Sequence, residues 1–213
     1  MQTFSETNHN ADYFIGDEYL ESQDEKIMKI ADIKLPGVHN LQNSLVAIAI
    51  AKLMGADNED IVAVLSTFTG AKHRLQYVTT LDGRKIYNDS KSTNIEAATV
   101  AIPAFKEPEV LIAGGLDRGF TFDDLVPLFK KHVISIVLYG ETKYLLADAA
   151  RKAGIKEIVI VNTLQEAVPR AYELTEPGDV ILFSPACASW DQFRTFEERG
   201  DYFVRFVEEL KTK

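Results

Sequence analysis

Cysteine is almost missing from this chain: Cys187 is the only one in 213 residues. A single thiol excludes an internal disulfide framework and suits a reducing compartment. The four histidines, His9, His39, His73 and His132, are scattered without metal-ligand spacing. No apolar run is long enough to span a membrane. The opening residues, Met1-Gln2-Thr3-Phe4-Ser5-Glu6, have neither the basic nor the apolar region of a signal peptide. Positive charge is in deficit as well, with 23 Lys and Arg against 32 Asp and Glu and a formal charge of −9. That balance argues against a nucleic-acid partner. Internal repeats and low-complexity segments are absent. A cytoplasmic protein without membrane insertion is expected.

What is present is enough apolar material for a real core, 46% of residues. From residue 109 onward, short apolar runs alternate with helical patterns. Strands are expected over 109–113, 133–138, 157–161 and 180–183. Helices are expected from a Thr121-Phe122-Asp123-Asp124 capping box to about Lys131, over 142–153 with Gly154 as terminator, and from a Thr163-Leu164-Gln165-Glu166 box to about Leu174. A last helix carries Phe203, Phe206, Val207 and Leu210 on one stripe. Pro127 and Pro169 must sit in first turns or kink their helices. The pattern predicts an α/β fold, a Rossmann-like, mostly parallel sheet with helices on both faces. A hairpin over 76–81 and 85–87, turning at Asp82-Gly83, precedes it.

The first 71 residues read differently. Tyr13-Phe14-Ile15 and Tyr19-Leu20 flank a Gly16-Asp17 turn, and Met28-Lys29-Ile30 suggests a third strand. This is too little for an independent domain. Asn40 is the expected cap of a helix carrying Leu41, Leu45, Ile48, Ala49 and Leu53. A second helix over 58–67 should turn Ile61, Val64, Leu65 and Phe68 inward. Thr69-Gly70-Ala71-Lys72 reads as a linker, so domains are expected over 1–71 and 72–213.

Ligands of open α/β sheets bind beyond the carboxyl ends of the strands. Three long, unusual loops fall there. Asn88-Asp89-Ser90-Lys91-Ser92-Thr93-Asn94 gathers amides, a carboxylate, a cation and hydroxyls between a strand and an alanine-rich helix. A helix start with Lys91 beside it suits carboxylate or phosphate. A cap by Ser92 or Thr93 is the plain alternative, and it accounts for one hydroxyl only. Gly114-Gly115-Leu116-Asp117-Arg118-Gly119-Phe120 pairs close backbone approach with a forked donor for a carboxylate. In Ser184-Pro185-Ala186-Cys187-Ala188-Ser189-Trp190-Asp191-Gln192-Phe193, Ser189 and the amides near Trp190 could hold a second carboxylate. Trp190, Phe193 or Phe196 could cover an apolar stem, or simply pack the last helix. Cys187 reads as a buried thiol rather than a nucleophile. His73-Arg74 follows the linker directly, and His39 and Asn43 lie near one helix start. Alone, His39 reads as a turn residue, and Arg74 reads equally well as a surface charge or a ligand contact.

Taken together, these stretches resemble the C-terminal part of a Mur ligase. The resemblance rests on Gly37-Val38-His39-Asn40-Leu41-Gln42-Asn43, His73-Arg74, the 88–94 and 114–119 loops, and 184–193 with Phe196-Glu197 and Arg199-Gly200. It covers nearly the whole chain from Gly37. The 184–193 loop is similar to that of the branch that adds D-glutamate, and the Asp-Asn-Pro-Arg signature of the diaminopimelate- and lysine-adding branches is missing. The resemblance implies an ATP-dependent, amide-forming ligase of peptidoglycan biosynthesis. Its partners would be ATP, D-glutamate and UDP-N-acetylmuramoyl-L-alanine, whose carboxylate is phosphorylated before the amine of D-glutamate attacks. It assigns ATP to Asn40, Asn43, His73, Arg74 and Asp89. It assigns D-glutamate to Lys91, Thr93, Arg118, Ser189, Trp190 and Phe196, with Lys91 and Arg118 nearest the chemistry. Arg118 is a lysine in some relatives, which changes its fork geometry.

The family's G-K-[ST] phosphate loop is absent. The expected reading is therefore a fragment: the end of the central ATP-binding domain (1–71) and the amino-acid-binding C-terminal domain (72–213). The N-terminal domain and the rest of the central domain are missing. Such a fragment should be monomeric, hold neither ATP nor Mg²⁺ by itself, and be inactive alone. A folylpolyglutamate-synthase-like ligase and a non-catalytic α/β binding module are the alternatives.

Overall fold

The computed structural model describes residues 2–211. The chain divides into two compact units, Met1–Thr69 and Gly70–Lys213.

In the first unit, strands β1 (Phe4–Ser5), β2 (Tyr13–Ile15), β3 (Tyr19–Ser22) and β4 (Lys26–Lys29) form a sheet in that order. β1 lies parallel to β2, and the other pairs are antiparallel. The two-residue β1 carries no pattern that a sequence reading could detect. Helices α1 (Val38–Leu53) and α2 (Asn58–Thr67) pack Leu45, Ile48 and Ile61 onto Tyr13, Leu20, Ile27 and Met28. Gly37, at φ 90°, caps α1, so the expected cap at Asn40 is corrected. Asn40 lies inside the first turn and its Nδ2 donates 2.7 Å to Pro36 O. Asp57 caps α2 by accepting from Asp60 N. Ile61 faces inward as expected, whereas Val64 and Phe68 are exposed.

In the second unit, β5 (Gln76–Leu81) and β6 (Arg84–Asn88) form the hairpin turning at Asp82-Gly83. The others are β7 (Glu109–Gly114), β8 (Val133–Tyr139), β9 (Glu157–Ile160) and β10 (Val180–Phe183). The sheet order is β5-β6-β10-β7-β8-β9, and every pair except β5–β6 is parallel. Helices α3 (Ile95–Ala101), α4 (Val126–His132) and α5 (Lys143–Ala153) cover one face with Ala98, Phe129 and Leu146. Helices α6 (Leu164–Glu173) and α7 (Phe196–Leu210) cover the other with Val168, Phe203 and Val207. Strands buried on both faces must be apolar throughout, and Val-Ile-Leu-Phe in β10 is buried at all four positions.

Several helix starts differ from the sequence reading. Asn94, not Ser92 or Thr93, caps α3 by accepting from Ala97 N. Thr121 caps nothing: a 3₁₀ turn over Asp123–Leu125 leads into α4, and Pro127 sits in the first turn of α4. Thr163 does cap α6, and Gly154 ends α5 in the left-handed region at φ 83°. Pro169 lies inside α6. Among the described residues, no helix is long and apolar enough to cross a membrane.

Residues 68–70 lie outside helix and strand, and Phe68 and Thr69 are exposed. Limited proteolysis should cut within 68–72 or within the first 35 residues and leave a resistant product beginning near residue 72. A resistant core that spans both units uncut would contradict this.

Candidate functional site

The site lies where β6 and β10, neighbours inside the sheet, release their chains at their carboxyl ends. Asn88, the last residue of β6, is fully buried. Its Nδ2 lies 3.1 Å from His73 Nδ1 and donates 3.1 Å to Gly200 O, and its Oδ1 accepts from Ser90 N at 3.1 Å. A donor at His73 Nδ1 makes that nitrogen the acceptor, so the neutral imidazole carries its proton on Nε2. Nε2 faces Asp201 at 3.6 Å. Burial lowers the pKa of His73, and Asp201 opposes the shift.

His73 and Leu75 both have positive φ, 63° and 41°. Such backbone costs of order 1–3 kcal/mol per residue unless its surroundings fix it. Here His73 N donates 2.9 Å to Gln76 Oε1, and Leu75 N donates 3.1 Å to Asp89 Oδ1. His73 O accepts from Lys91 N at 2.9 Å. The strained turn is thereby tied to the 88–94 loop, and Arg74 between the two positions is exposed.

Asp89 is buried with both oxygens engaged, Oδ1 by Leu75 N and Oδ2 by Ser184 Oγ at 2.9 Å. Burial pushes its pKa up to about 7, against the Ser184 and Leu75 bonds and the charges of Arg74 and Arg199. In this arrangement Asp89 fixes the turn beside it. It does not line the adjoining pocket.

Arg199 on α7 closes the network. It is 0% exposed. Nε donates to Ser90 Oγ at 2.9 Å, Nη2 to Ser90 O at 2.8 Å, and Nη1 to Cys187 O at 2.9 Å. One guanidinium therefore fastens the β6 loop and the β10 loop to the last helix, and Ser90 Oγ adds a bond to Phe196 O at 2.8 Å. Gly200 must lack a side chain, because a β-carbon there would collide with the His73 imidazole. Arg199-Gly200 belong to the stretches that resemble a Mur ligase, but the resemblance assigns them no role. A signal was present: Arg199 stands four residues before Phe203, on the helix's own apolar stripe.

These contacts shape a pocket of about 560 Å³ lined by Lys72, His73, Arg74, Lys91, Phe196 and Asp201. Lys91 Nζ lies 3.9 Å over the Phe196 ring. The pocket thus joins two residues assigned to the nucleotide, His73 and Arg74, with two assigned to the amino acid, Lys91 and Phe196. The other expected residues lie outside it. Thr93 is half-buried on the Lys91 loop, and Ser189 is buried in the β10 loop. Trp190 and Arg118 are exposed, the latter 5.6 Å over the Phe120 ring. Leu116 N donates to Ala188 O at 2.9 Å, which joins the loop of Arg118 to the loop of Ser189 and Trp190. Asn40 and Asn43 belong to the Met1–Thr69 unit, on the first turns of α1. Cys187 is buried, and burial pushes its thiol up to about 11, so it is no nucleophile.

This is an open, mostly parallel α/β domain with a polar edge. A similar fold occurs in the UDP-N-acetylmuramate-alanine ligase of Thermotoga maritima (TM-score 0.67, 18% identity, 99% of this chain and 48% of that one). It occurs also in Mycobacterium tuberculosis folylpolyglutamate synthase complexed with ADP (TM-score 0.65, 13% identity, 92% and 48%). The family model described as Mur ligase, glutamate ligase domain matches residues 73–187, more than half of the chain. The chain belongs to the Mur ligase family. It is 99% identical over 213 residues to a UDP-N-acetylmuramoylalanine–D-glutamate ligase of Lactobacillus acidophilus, covering 100% of this chain and 46% of that protein. It is 59% identical over 201 residues to the enzyme of the same name from Bacillus cytotoxicus, covering 94% and 43%. The chain thus spans about half the length of the curated relatives it matches. The folylpolyglutamate-synthase alternative is not favoured, since that likeness at 13% identity is one of fold alone.

Proposed function

We propose that this chain is the C-terminal part of an ATP-dependent ligase that adds D-glutamate to UDP-N-acetylmuramoyl-L-alanine in peptidoglycan biosynthesis. The carrying observation is the pocket in which His73 and Arg74 meet Lys91 and Phe196, on a chain nearly identical to part of a D-glutamate ligase. The Gly70–Lys213 unit is then the amino-acid-binding domain, and Met1–Thr69 the end of the central ATP-binding domain. The complete protein works in the cytoplasm, and the chain itself is a monomer.

ATP supplies a phosphoryl group that turns the muramoyl-alanine carboxylate into an acyl phosphate. The amine of D-glutamate attacks its carbonyl carbon, loses a proton, and expels phosphate as the amide forms. The residues here position and neutralise charge rather than form bonds. Arg74 takes a nucleotide phosphate, with His73 held beside it, and Asp89, spent on Leu75 and Ser184, holds the turn that presents them. Asn40 and Asn43, on α1, are further nucleotide contacts. Lys91 and Arg118 each take a carboxylate of D-glutamate, Thr93 and Ser189 add hydroxyl donors, and Trp190 and Phe196 cover the aliphatic stem. Mg²⁺ and the β- and γ-phosphates are held by groups outside this chain.

In the full-length enzyme, Lys91→Ala or Arg118→Ala should raise the KM for D-glutamate far more than that for ATP, since one charge-assisted contact is worth about 1.5–3 kcal/mol. Steady-state kinetics with each substrate varied in turn will decide. An effect on ATP with D-glutamate untouched would remove both residues from the amino-acid site.

A further inference from the structure

Three threonines open helices in the second unit. Thr163 and Thr195 cap α6 and α7 as threonines commonly do, their hydroxyls accepting from Glu166 N at 3.2 Å and Glu198 N at 3.1 Å. Thr142 holds the same place before α5, but its hydroxyl makes no cap bond. It is 1% exposed. Thr142 N donates to Gly115 O at 3.1 Å, Thr142 Oγ1 donates to the same carbonyl at 3.2 Å, and Oγ1 lies 3.3 Å from Cys187 Sγ. A hydroxyl has one hydrogen, and a carbonyl oxygen accepts better than a thiol sulfur. Oγ1–H therefore goes to Gly115 O, and the Cys187 thiol donates to Oγ1. Burial keeps that thiol protonated, its pKa pushed up to about 11.

We propose that Thr142 is a positioning residue of the amino-acid site, its hydroxyl clamping the loop of Arg118 to the loop of Ser189 and Trp190. This rests on the reading of those three residues as D-glutamate contacts. Gly115 lies three residues before Arg118, and Cys187 lies two before Ser189. The two loops also meet through Gly114 N to Pro185 O at 3.0 Å and Leu116 N to Ala188 O at 2.9 Å. Gly115, at φ 152°, permits this approach, because a β-carbon there would collide with Ala188 O. A diacid gripped at both ends needs its two sets of donors at a fixed separation, and a loosened pair of loops loses that geometry before it loses its fold. His73 and Arg74 are held by other contacts, those of Leu75 with Asp89 and of His73 with Lys91. The clamp therefore acts on the amino acid and spares the nucleotide.

Steady-state kinetics of the full-length enzyme test this. Thr142→Val keeps the shape and removes the hydroxyl. It should raise the KM for D-glutamate about fivefold or more, as expected for one lost hydrogen bond, and move the KM for ATP less than about twofold. Thr142→Ser keeps the hydroxyl and should return the KM for D-glutamate to within about twofold of wild type. A general loss of structure weakens both substrates together, so an equal rise for ATP overturns the proposal, as does an unchanged KM for D-glutamate. If Thr142→Val does not fold, Cys187→Ala takes its place and should raise the KM for D-glutamate about twofold or more. No rise there overturns the proposal as well. A second measurement is independent of the reaction. Cys187 is the only cysteine of the 213-residue chain, so its S–H stretching band in the infrared stands alone. Thr142→Val removes the acceptor and should move that band to higher frequency. An unmoved band would refute the clamp and leave the D-glutamate reading intact. A band that moves, in a full-length protein that does not ligate D-glutamate, would refute that reading and the positioning role with it.

Discussion

Replacing Arg199 by methionine is expected to destabilise the Gly70–Lys213 unit by about 3–5 kcal/mol, because three buried hydrogen bonds to a charged donor are lost at about 1.5–3 kcal/mol each. Methionine fills similar volume, so the loss comes from polar groups rather than from a cavity. Ser90 O, Ser90 Oγ and Cys187 O each lose a donor, and a buried group left without its partner costs about 1–3 kcal/mol. Part of that cost is offset, because a guanidinium that is 0% exposed no longer has to be desolvated. Arg199→Lys should fall between the two, since an ammonium keeps the charge but does not span the fork to both loops. Urea unfolding followed by circular dichroism measures this. A midpoint for Arg199→Met within experimental error of wild type would show that the loops hold their places without it.

The second large effect lies at the opposite end of the sheet. Glu109 opens β7, is 0% exposed, and neither carboxyl oxygen has a hydrogen-bond partner among the described residues. Burial, reinforced by the charge of Glu107, pushes its pKa up to about 9. In the unfolded chain it ionises near the ordinary 4.5. Between these values the folded protein binds the extra proton, so stability is full below about pH 4.5 and declines as pH rises toward 9. The decline is about 1.4 kcal/mol per pH unit while the two states differ by a whole proton. Asp89, raised to about 7, adds a slope of the same sign between its ordinary 3.8 and 7. Glu109→Gln removes the larger slope. It should leave the Tm near pH 4 almost unchanged and raise it progressively toward pH 8, by several degrees at the upper end. A substitution that lowers the Tm at pH 8 would show that the carboxyl finds partners absent from this structure.

The sheet was legible from sequence because burial on both faces forces unbroken apolar runs, such as Val110-Leu111-Ile112-Ala113 in β7 and Ile136-Val137-Leu138 in β8. Asp82-Gly83 and Gly154 were legible because their positive φ selects residue type. Helix starts were less so. Asn94, Ser92 and Thr93 are all competent caps, and only the path of the chain decides for Asn94. Val64 and Phe68 misled for another reason: apolar spacing picks out one helix face but not how far the core extends over it, and both are exposed.

At the site, the three loops announced themselves by composition, and their shared edge followed from strand order. The support beneath them did not. That Asn88 bonds Gly200 across 112 residues, or that Arg199 reaches Ser90 and Cys187, depends on tertiary placement of β6, β10 and α7. Asp89 illustrates the limit: its residue type suits a ribose hydroxyl, yet here it is spent on Leu75 and Ser184.

The most direct test of the proposed function is phosphate release by the full-length protein that contains this chain, supplied with ATP, Mg²⁺ and UDP-N-acetylmuramoyl-L-alanine. Release should require D-glutamate, with L-glutamate giving no more than background. The 213-residue chain under the same conditions should release nothing above a heat-killed control, because the groups proposed to cradle the β- and γ-phosphates are not in it. Equal release with L-glutamate, or turnover by the chain alone, would contradict the assignment.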